Sequence, residues 1–383
     1  MDRRFKICSF FITASLLYFI LSVLDDHIHN EIIKNVHQTS EHKSSLNWQQ
    51  KNLESPPGGA SSEISEASSS SRDINNMNEK TYANLRTPNI LLLSSLGRSG
   101  SSFLGELLAQ QKNAFYLFEP ELYLHRWTNE GVNTNNSINI IRKMFACQFE
   151  SDFIHWLHSR GFNLCVKSEK IKSICKGDKF CISSPLLAKV CQSESVNIIK
   201  VIKMRLSWTT ELLMDPNLNL KVIHLIRDPR ASINSMSKTQ MPGMDPQLSC
   251  PSLIGDLQTF PVLQKIFPNK VTSVKYEDLA LYPWETAQKL WSFLAEDDKS
   301  SLPVPWSTYL QEHTKPPPKS SYYSTKRNSS AEMEAWRDEI SEKILLDVEN
   351  YCGHVLQHLG HTTFGSIENC RNKSLSLYVK SQQ

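Results

Sequence analysis

The sequence predicts an α/β fold in which a central parallel sheet is flanked by helices, behind an N-terminal membrane-spanning helix. Two stretches carry most of that reading, NILLLSSLGRSGSSFLGELL from Asn89 and LKVIHLIRDPRASINSMS from Leu220. Each passes from a buried-strand signature through a short polar junction into apolar residues at helical spacing. Further apolar runs at Ala114–Pro120, in VNIIKVIKMRL from Val196 and in VTSVKYEDLA, a strand followed by a turn, alternate with helical stretches, which is the signature of a parallel sheet rather than of hairpins.

The N-terminal helix follows from Ile7 to Leu24, a segment without a charge and about as long as the minimum for a membrane span. Arg3, Arg4 and Lys6 precede it, and Asp25 and Asp26 follow, so the positive-inside bias leaves the N-terminus in the cytoplasm. A cleaved signal peptide would end in small residues, whereas this segment ends in Leu21, Val23 and the two aspartates, so an uncleaved signal anchor is the favoured reading. The organisation expected is a cytoplasmic tail at 1–6, the anchor at 7–24, a stem at 25–88, a folded luminal domain at 89–365 and a C-terminal tail at 366–383. The stem contains SPPGGASSEISEASSSSRD, which has too little apolar surface to offset its ordering entropy and reads as a tether.

Composition bounds the function. The chain has 383 residues, 40% of them hydrophobic, enough for a substantial core, and a net charge of +3 that gives no argument for a nucleic-acid partner. Cys8 lies in the anchor; Cys147, Cys165, Cys175, Cys181, Cys191, Cys250, Cys352 and Cys370 allow up to four disulfides of undetermined connectivity. No C-x-x-C pair occurs, and no metal is expected. Sequons stand at Asn135, Asn328 and Asn372.

Within the domain, the strand Ile90–Leu93 feeds the loop Leu96, Gly97, Arg98, Ser99, Gly100, Ser101, Ser102, and a helix starts near Phe103. Loop amides and a helix N-terminus converge there on one point of positive potential, two glycines permit close approach, and serines and an arginine add donors. This suits a phosphate or a sulfate; the alternative is a structural turn whose serines cap the helix. It is not a Walker A loop, because Ser102 and Phe103 stand where Gly and Lys are required. The next strand, AFYLFEP, ends in Glu119, placed either as a general base or as a plain surface carboxylate before Pro120. Ser137–Phe162 has helical spacing. VNIIKVIKMRL reads as a strand with Ile199, Val201 and Met204 on one side and Lys200 and Lys203 exposed, its bases meeting either a ligand or solvent. At the second junction Val222–Ile226 is a strand, Arg227 ends it, and Asp228 and Pro229 open a helix on which Ser235 lies two turns along, so that Arg227 and Ser235 could grip one phosphate. Trp284–Leu294 is amphipathic with Leu290, Trp291 and Leu294 on its apolar side, Ser300–Tyr323 is a proline-rich loop, and Ala331–Leu359 is helical with Trp336, Ile340, Leu345 and Val348 in the core.

In order, GRSGSSFLGELL, FYLFEPE, VIHLIRDPRASINS, VKYEDLALYPWE and YYSTKRNSSAEMEAWR resemble the Golgi carbohydrate sulfotransferases that modify 6-hydroxyls of galactose, N-acetylgalactosamine or N-acetylglucosamine. The resemblance implies a P-loop-like sulfotransferase fold dependent on 3′-phosphoadenosine 5′-phosphosulfate (PAPS), with no metal required. It implies that Leu96–Ser102 bind the 5′-phosphosulfate and that Arg227, Asp228, Pro229, Arg230, Ala231, Ser232, Ile233, Asn234 and Ser235 form the 3′-phosphate site, with Arg327 near the cofactor. The resemblance implies a glycosaminoglycan or glycoprotein glycan as acceptor and a single-pass type II Golgi membrane protein; the chemistry of in-line sulfuryl transfer then makes Arg98, with the loop amides, the candidate to stabilise the leaving phosphate and Glu119 the candidate base. Leu96, Gly97, Ser99 and Met236 depart from the common family forms. A Golgi glycosyltransferase would share the anchor, but the chain has no D-x-D triplet; a catalytically silent luminal binding protein would not need both anion motifs.

Overall fold

A computed structural model describes residues 88–127, 133–202, 204–239, 244–315 and 333–379. The expectations for 1–87, Lys203, Arg327 and the Asn328 sequon fall outside them. Five parallel strands form one sheet in the order β2-β3-β1-β4-β5: β1 Asn89–Ser94, β2 Ala114–Phe118, β3 Val196–Val201, β4 Leu220–Ile226 and β5 Val271–Lys275. β1 is central and buried on both faces, which explains why its sequence is a continuous apolar run instead of an alternating one.

The two-residue period divides the core. Ile90 and Leu92 pack on one face with Tyr116, Ile198, Ile223 and Leu225, covered by α1 (Ser101–Leu108). Leu91 and Leu93 pack on the other with Phe115, Leu117, Ile199, Val201 and Val222, covered by α2 (Thr134–Phe145) and α3 (Ser184–Ser193). The helix read at Ser137–Phe162 is broken: α2 ends at Phe145, Cys147 is left-handed with φ 57°, and a new helical segment begins at Ser151. α4 (Pro229–Lys238) follows β4, and α5 (Pro246–Ile266) carries internal prolines at 251 and 261 that conceal it from periodicity. α6 (Tyr276–Leu281) and α7 (Pro283–Ala295) follow β5.

The proline-rich loop expected over Ser300–Tyr323 contains a helix, α8 (Val304–His313), with Trp306, Tyr309 and Leu310 buried against the sheet. Its prolines flank and occupy the first turn, where a missing N–H leaves no intrahelical bond unmade. The long C-terminal helix is likewise divided into segments that include α9 (Glu342–Tyr351), capped by Ser341, and α10 (Gly353–Leu359). Three disulfides form among the described residues, Cys147–Cys191, Cys175–Cys181 and Cys250–Cys352, while Cys165 and Cys370 are free and buried. The last bond ties α5 to the end of α9 across 102 residues of chain.

Several titratable groups are buried in this domain, and one of them sets a pH dependence. His224 in β4 is fully buried, and its Nε2 lies 2.6 Å from Ser95 Oγ. Burial, and then the Arg205 guanidinium, push its pKa down from 6.5 to about 3. Unfolding therefore takes up a proton between those values, and folded stability falls as pH drops from 6.5 toward 3 by up to about 1.4 kcal/mol per pH unit. Denaturant unfolding from pH 6.5 to 4.5 is expected to show the wild type losing up to roughly 2–3 kcal/mol more than His224→Gln. Equal pH slopes for the two proteins would contradict this account.

Candidate active site

Because all five strands run the same way, the residues that immediately follow them share one edge of the sheet: Ser95–Ser102 after β1, Glu119 after β2, Arg205 beyond β3, Arg227 after β4 and Tyr276 after β5. In open parallel sheets this edge holds the ligand. Ser94 of β1 lies opposite Leu225 of β4, so the two chains leave the sheet at the same level and their junctions become neighbours.

The contacts between the junctions are specific. Arg227 Nη1 donates to Arg98 O at 2.7 Å, and Arg98 Nε donates to Ser235 Oγ at 3.2 Å. Arg227 also lies over the Tyr276 ring, with its guanidinium carbon 4.1 Å from the centroid, a contact that holds the planar group in place. The first loop is braced from beneath. Ser94 Oγ donates to Leu96 O at 2.7 Å and bonds the Ser99 hydroxyl, and Leu96 packs in a cluster with Ile226, Ile233 and Leu257. Arg205 Nη2 donates to Ser95 O, while Asp256 accepts from Arg205 Nη1 and from Leu206 N.

Gly97, Arg98, Gly100 and Ser102 are partly open, whereas Leu96, Ser99 and Ser101 are buried. The second junction is more selective still. From Arg227 to Ser235 only these two end residues have partly exposed side chains; Asp228, Pro229, Arg230, Ala231, Ser232, Ile233 and Asn234 are buried. The Arg230 guanidinium points inward: Asp228 accepts from its Nε and Nη2, and Glu349 and Thr362 O accept from its Nη1, each of the last two at 2.8 Å. Burial disfavours charge on Asp228, but Arg230 and His361 outweigh it and hold the carboxyl well below the usual carboxylate range. Asp228 Oδ1 also caps α4 through Arg230 N, and Asp228 N donates to Glu277. The role of Asp228 and Arg230 here is to fix the helix start that presents Arg227 and Ser235.

At the β2 end the reading of Lys200 as an exposed edge charge is corrected. Lys200 is 2% exposed, and its ammonium bonds Glu119 Oε1. The sheet is flanked there by Phe118, whose ring lies 4.1 Å from the lysine nitrogen, and a buried ammonium in that setting requires an acid partner. Glu119 itself is 8% exposed with φ 48°, a left-handed turn that redirects the chain out of β2. Glu121 is fully buried, accepts from Ile202 N at 2.8 Å, and is pushed up to about 7 by burial and by the neighbouring Glu119. Sequence reasoning did not single out Glu121 or Tyr276, the latter detectable as a residue at the exit of a strand; Arg205, read as a base after the third strand that meets either a ligand or solvent, bonds Asp256 and Ser95 O.

One feature fits an anionic ligand, and a second shows how closely the loop is built. Arg227 Nε is buried and has no hydrogen-bond partner among the described residues, an unmet donor beside the cradle. Gly100 has φ +87°, and a Cβ there would lie 2.5 Å from the Tyr276 ring, so the loop's approach to that ring depends on glycine.

Residues 88–362 match the family described as Sulfotransferase domain. The chain belongs to the sulfotransferase family. Carbohydrate sulfotransferase 1 of Mus musculus is 28% identical over 353 residues, covering 78% of this sulfotransferase and 85% of that protein. Carbohydrate sulfotransferase 3 of Rattus norvegicus is 28% identical over 342 residues, covering 75% and 70% respectively. The sulfotransferase domain from the Synechococcus PCC 7002 olefin synthase covers 70% of this chain and 94% of its own at 19% identity, with a TM-score of 0.40.

Gly100→Ala in this sulfotransferase is expected to lose stability from two sources, a left-handed backbone costing about 1–2 kcal/mol and the clash with Tyr276. Thermal denaturation checks this: Gly100→Ala should melt several degrees below the wild type. Adding Gly100→Ala to Tyr276→Ala should cost less than adding it to the wild type, and equal costs would show that the ring is not what the glycine accommodates.

Proposed function

We propose that this sulfotransferase moves a sulfuryl group from PAPS to a sugar hydroxyl, the 6-hydroxyl of galactose, N-acetylgalactosamine or N-acetylglucosamine in a glycosaminoglycan or glycoprotein glycan. The observation that carries the reading is the direct contact of the two junctions through Arg98, Ser235 and Arg227, which supports reading them as one two-ended anion site. The relatives named as carbohydrate sulfotransferases support a glycan acceptor. The uncharged segment Ile7–Leu24 and the stem beyond it support a type II anchor and a luminal, Golgi location.

In this reading the loop Gly97–Ser102 receives the 5′-phosphosulfate, and Arg227 and Ser235 receive the 3′-phosphate. The acceptor hydroxyl gives its proton to the Glu119 carboxylate as its oxygen bonds sulfur. The bond from sulfur to the 5′-phosphate oxygen breaks, and its electron pair leaves on 3′-phosphoadenosine 5′-phosphate (PAP). Arg98 and the loop amides are fixed donors for that developing charge, so side chains supply the cations the step needs.

Glu119→Gln is expected to retain PAP binding and to lose turnover by about a hundredfold or more, measured by transfer of radiolabelled sulfate to chondroitin, keratan and N-acetylglucosamine-terminated acceptors. Near-normal turnover would remove Glu119 from the mechanism. Arg227→Ala should weaken PAP about tenfold or more in a direct titration, and Ser235→Ala in the same direction. Unchanged titrations would place the 3′-phosphate elsewhere.

A further inference from the structure

In the proposed reaction the nucleotide takes the exits of β1 and β4, so an acceptor that reaches Glu119 has to come in over β2, the edge strand of the sheet. The chain that lies along the free side of β2 is basic. Val166 bridges Leu117 in antiparallel sense, and Lys167 N donates to Tyr116 O at 3.0 Å. Lys167 Nζ lies 5.6 Å from the ring centroid of Phe118, the residue before Glu119. From there, residues 167–179 hold five lysines against Glu169 and Asp178, an excess of three that equals the formal net charge of +3 on the whole chain. The rest of the sequence balances to zero.

Two of the five charges have an acid partner: Lys170 bonds the buried Glu194 at 2.7 Å, and Lys172 bonds Glu169 at 2.6 Å. Lys167 and Lys179 donate instead to the carbonyls of Asn163 and Ser159, at 2.9 and 3.5 Å, so their charge is not neutralised there. Lys176 is exposed at the left-handed C-cap of the short helix Glu169–Cys175. Burial first, and the charge of Lys172 second, disfavour the charge on Lys167, a penalty that a bound anion relieves.

The Cys175–Cys181 disulfide closes the following turn into a short loop. On it Phe180 is 69% exposed, with Lys179 Nζ 5.1 Å from its ring centroid and the His158 ring 5.4 Å away. Such a ring is an apolar plane that matches the C–H face of a sugar, and the ammoniums beside it match that sugar's carboxylate or sulfate.

We propose that the surface from Lys167, at the end of β2, to Phe180, on the disulfide loop, docks the unreacting length of a polyanionic glycan acceptor through Lys167, Lys176, Lys179 and Phe180. The inference rests on the reading of the protein as a glycan sulfotransferase with Glu119 at the acceptor end, and it narrows that reading: the favoured acceptor carries carboxylates or sulfates of its own. Attraction over this face raises the local concentration of chain beside Glu119 and weakens with salt.

The test uses the full-length protein and two readouts. The first is retention on immobilised chondroitin sulfate and keratan sulfate. The double variant Lys176→Gln with Lys179→Gln should elute at lower salt than the wild type, whereas Lys176→Arg with Lys179→Arg should elute with it. Removing two exposed lysines elsewhere, Lys289→Gln with Lys299→Gln, should leave elution near the wild type. The second readout is transfer of radiolabelled sulfate. In the Lys176→Gln, Lys179→Gln protein the KM for the chondroitin or keratan acceptor should rise about fivefold or more with kcat and PAP affinity held, and the KM for a neutral N-acetylglucosamine-terminated oligosaccharide should not move. Phe180→Ala should raise the KM for the anionic acceptor in the same direction. Equal retention of the wild type and the double glutamine variant, an anionic-acceptor KM that does not rise, or an equal loss in the Lys289→Gln, Lys299→Gln control would overturn the proposal. Wild-type binding to phosphatidylserine vesicles and to neither glycan would overturn it as well. Glycan retention that depends on Lys176 and Lys179, without sulfate transfer to any acceptor, would fell the proposed reaction and leave the docking surface standing.

Discussion

The structure turns on a constraint of register: β1 and β4 are adjacent and parallel, with Ser94 opposite Leu225. The loops that leave them have to share one volume, and Arg98 and Arg227 convert that proximity into bonds, one arginine donating to Ser235 and the other to the Arg98 carbonyl. The stacking of Arg227 on Tyr276 and the Ser235 hydroxyl that accepts from Arg98 keep both side chains in place beforehand. Binding a doubly ended anion then requires little reorganisation of the protein.

Holding the second junction takes more of the chain than the junction itself. Asp228 and Arg230 are buried at the start of α4, and their partners come from the C-terminal segment: Glu349 from α9, Thr362 and His361. Glu349 in turn accepts from Phe364 N and Gly365 N. A buried network of this kind contributes little net stability as a whole, yet losing one member leaves an uncompensated charge costing about 3–5 kcal/mol. Its role is to give the helix start one position. The Cys250–Cys352 disulfide, three residues beyond Glu349, ties the same C-terminal segment back to α5. The part of the fold farthest along the sequence thus sets the aim of Arg227 and Ser235.

Much of this was legible in the sequence. Apolar runs of strand length identified β1, β2, β3 and β4, and the polar residues after them located Arg98, Glu119 and Arg227 because a parallel sheet brings strand ends together. What escaped was non-local. Lys200 reads as a solvated charge until β2 lies beside β3 and brings Glu119, 81 residues away, against it. Arg230 reads as a second phosphate ligand because its partner Glu349 is 119 residues distant. Local signals also misled where proline was involved: α8 hides its start among prolines that a first turn accepts, and α5 carries two that a helix interior ordinarily rejects.

The central claim is that one nucleotide is held at both ends by two junctions of one sheet. A crystal structure of the protein with PAP bound tests it most directly. The account predicts the 5′-phosphate within hydrogen-bond reach of the amides of Gly97–Ser102 and the 3′-phosphate against Arg227 and Ser235 in the same molecule. A PAP that reaches only one junction, or that lies away from this edge of the sheet, would contradict it.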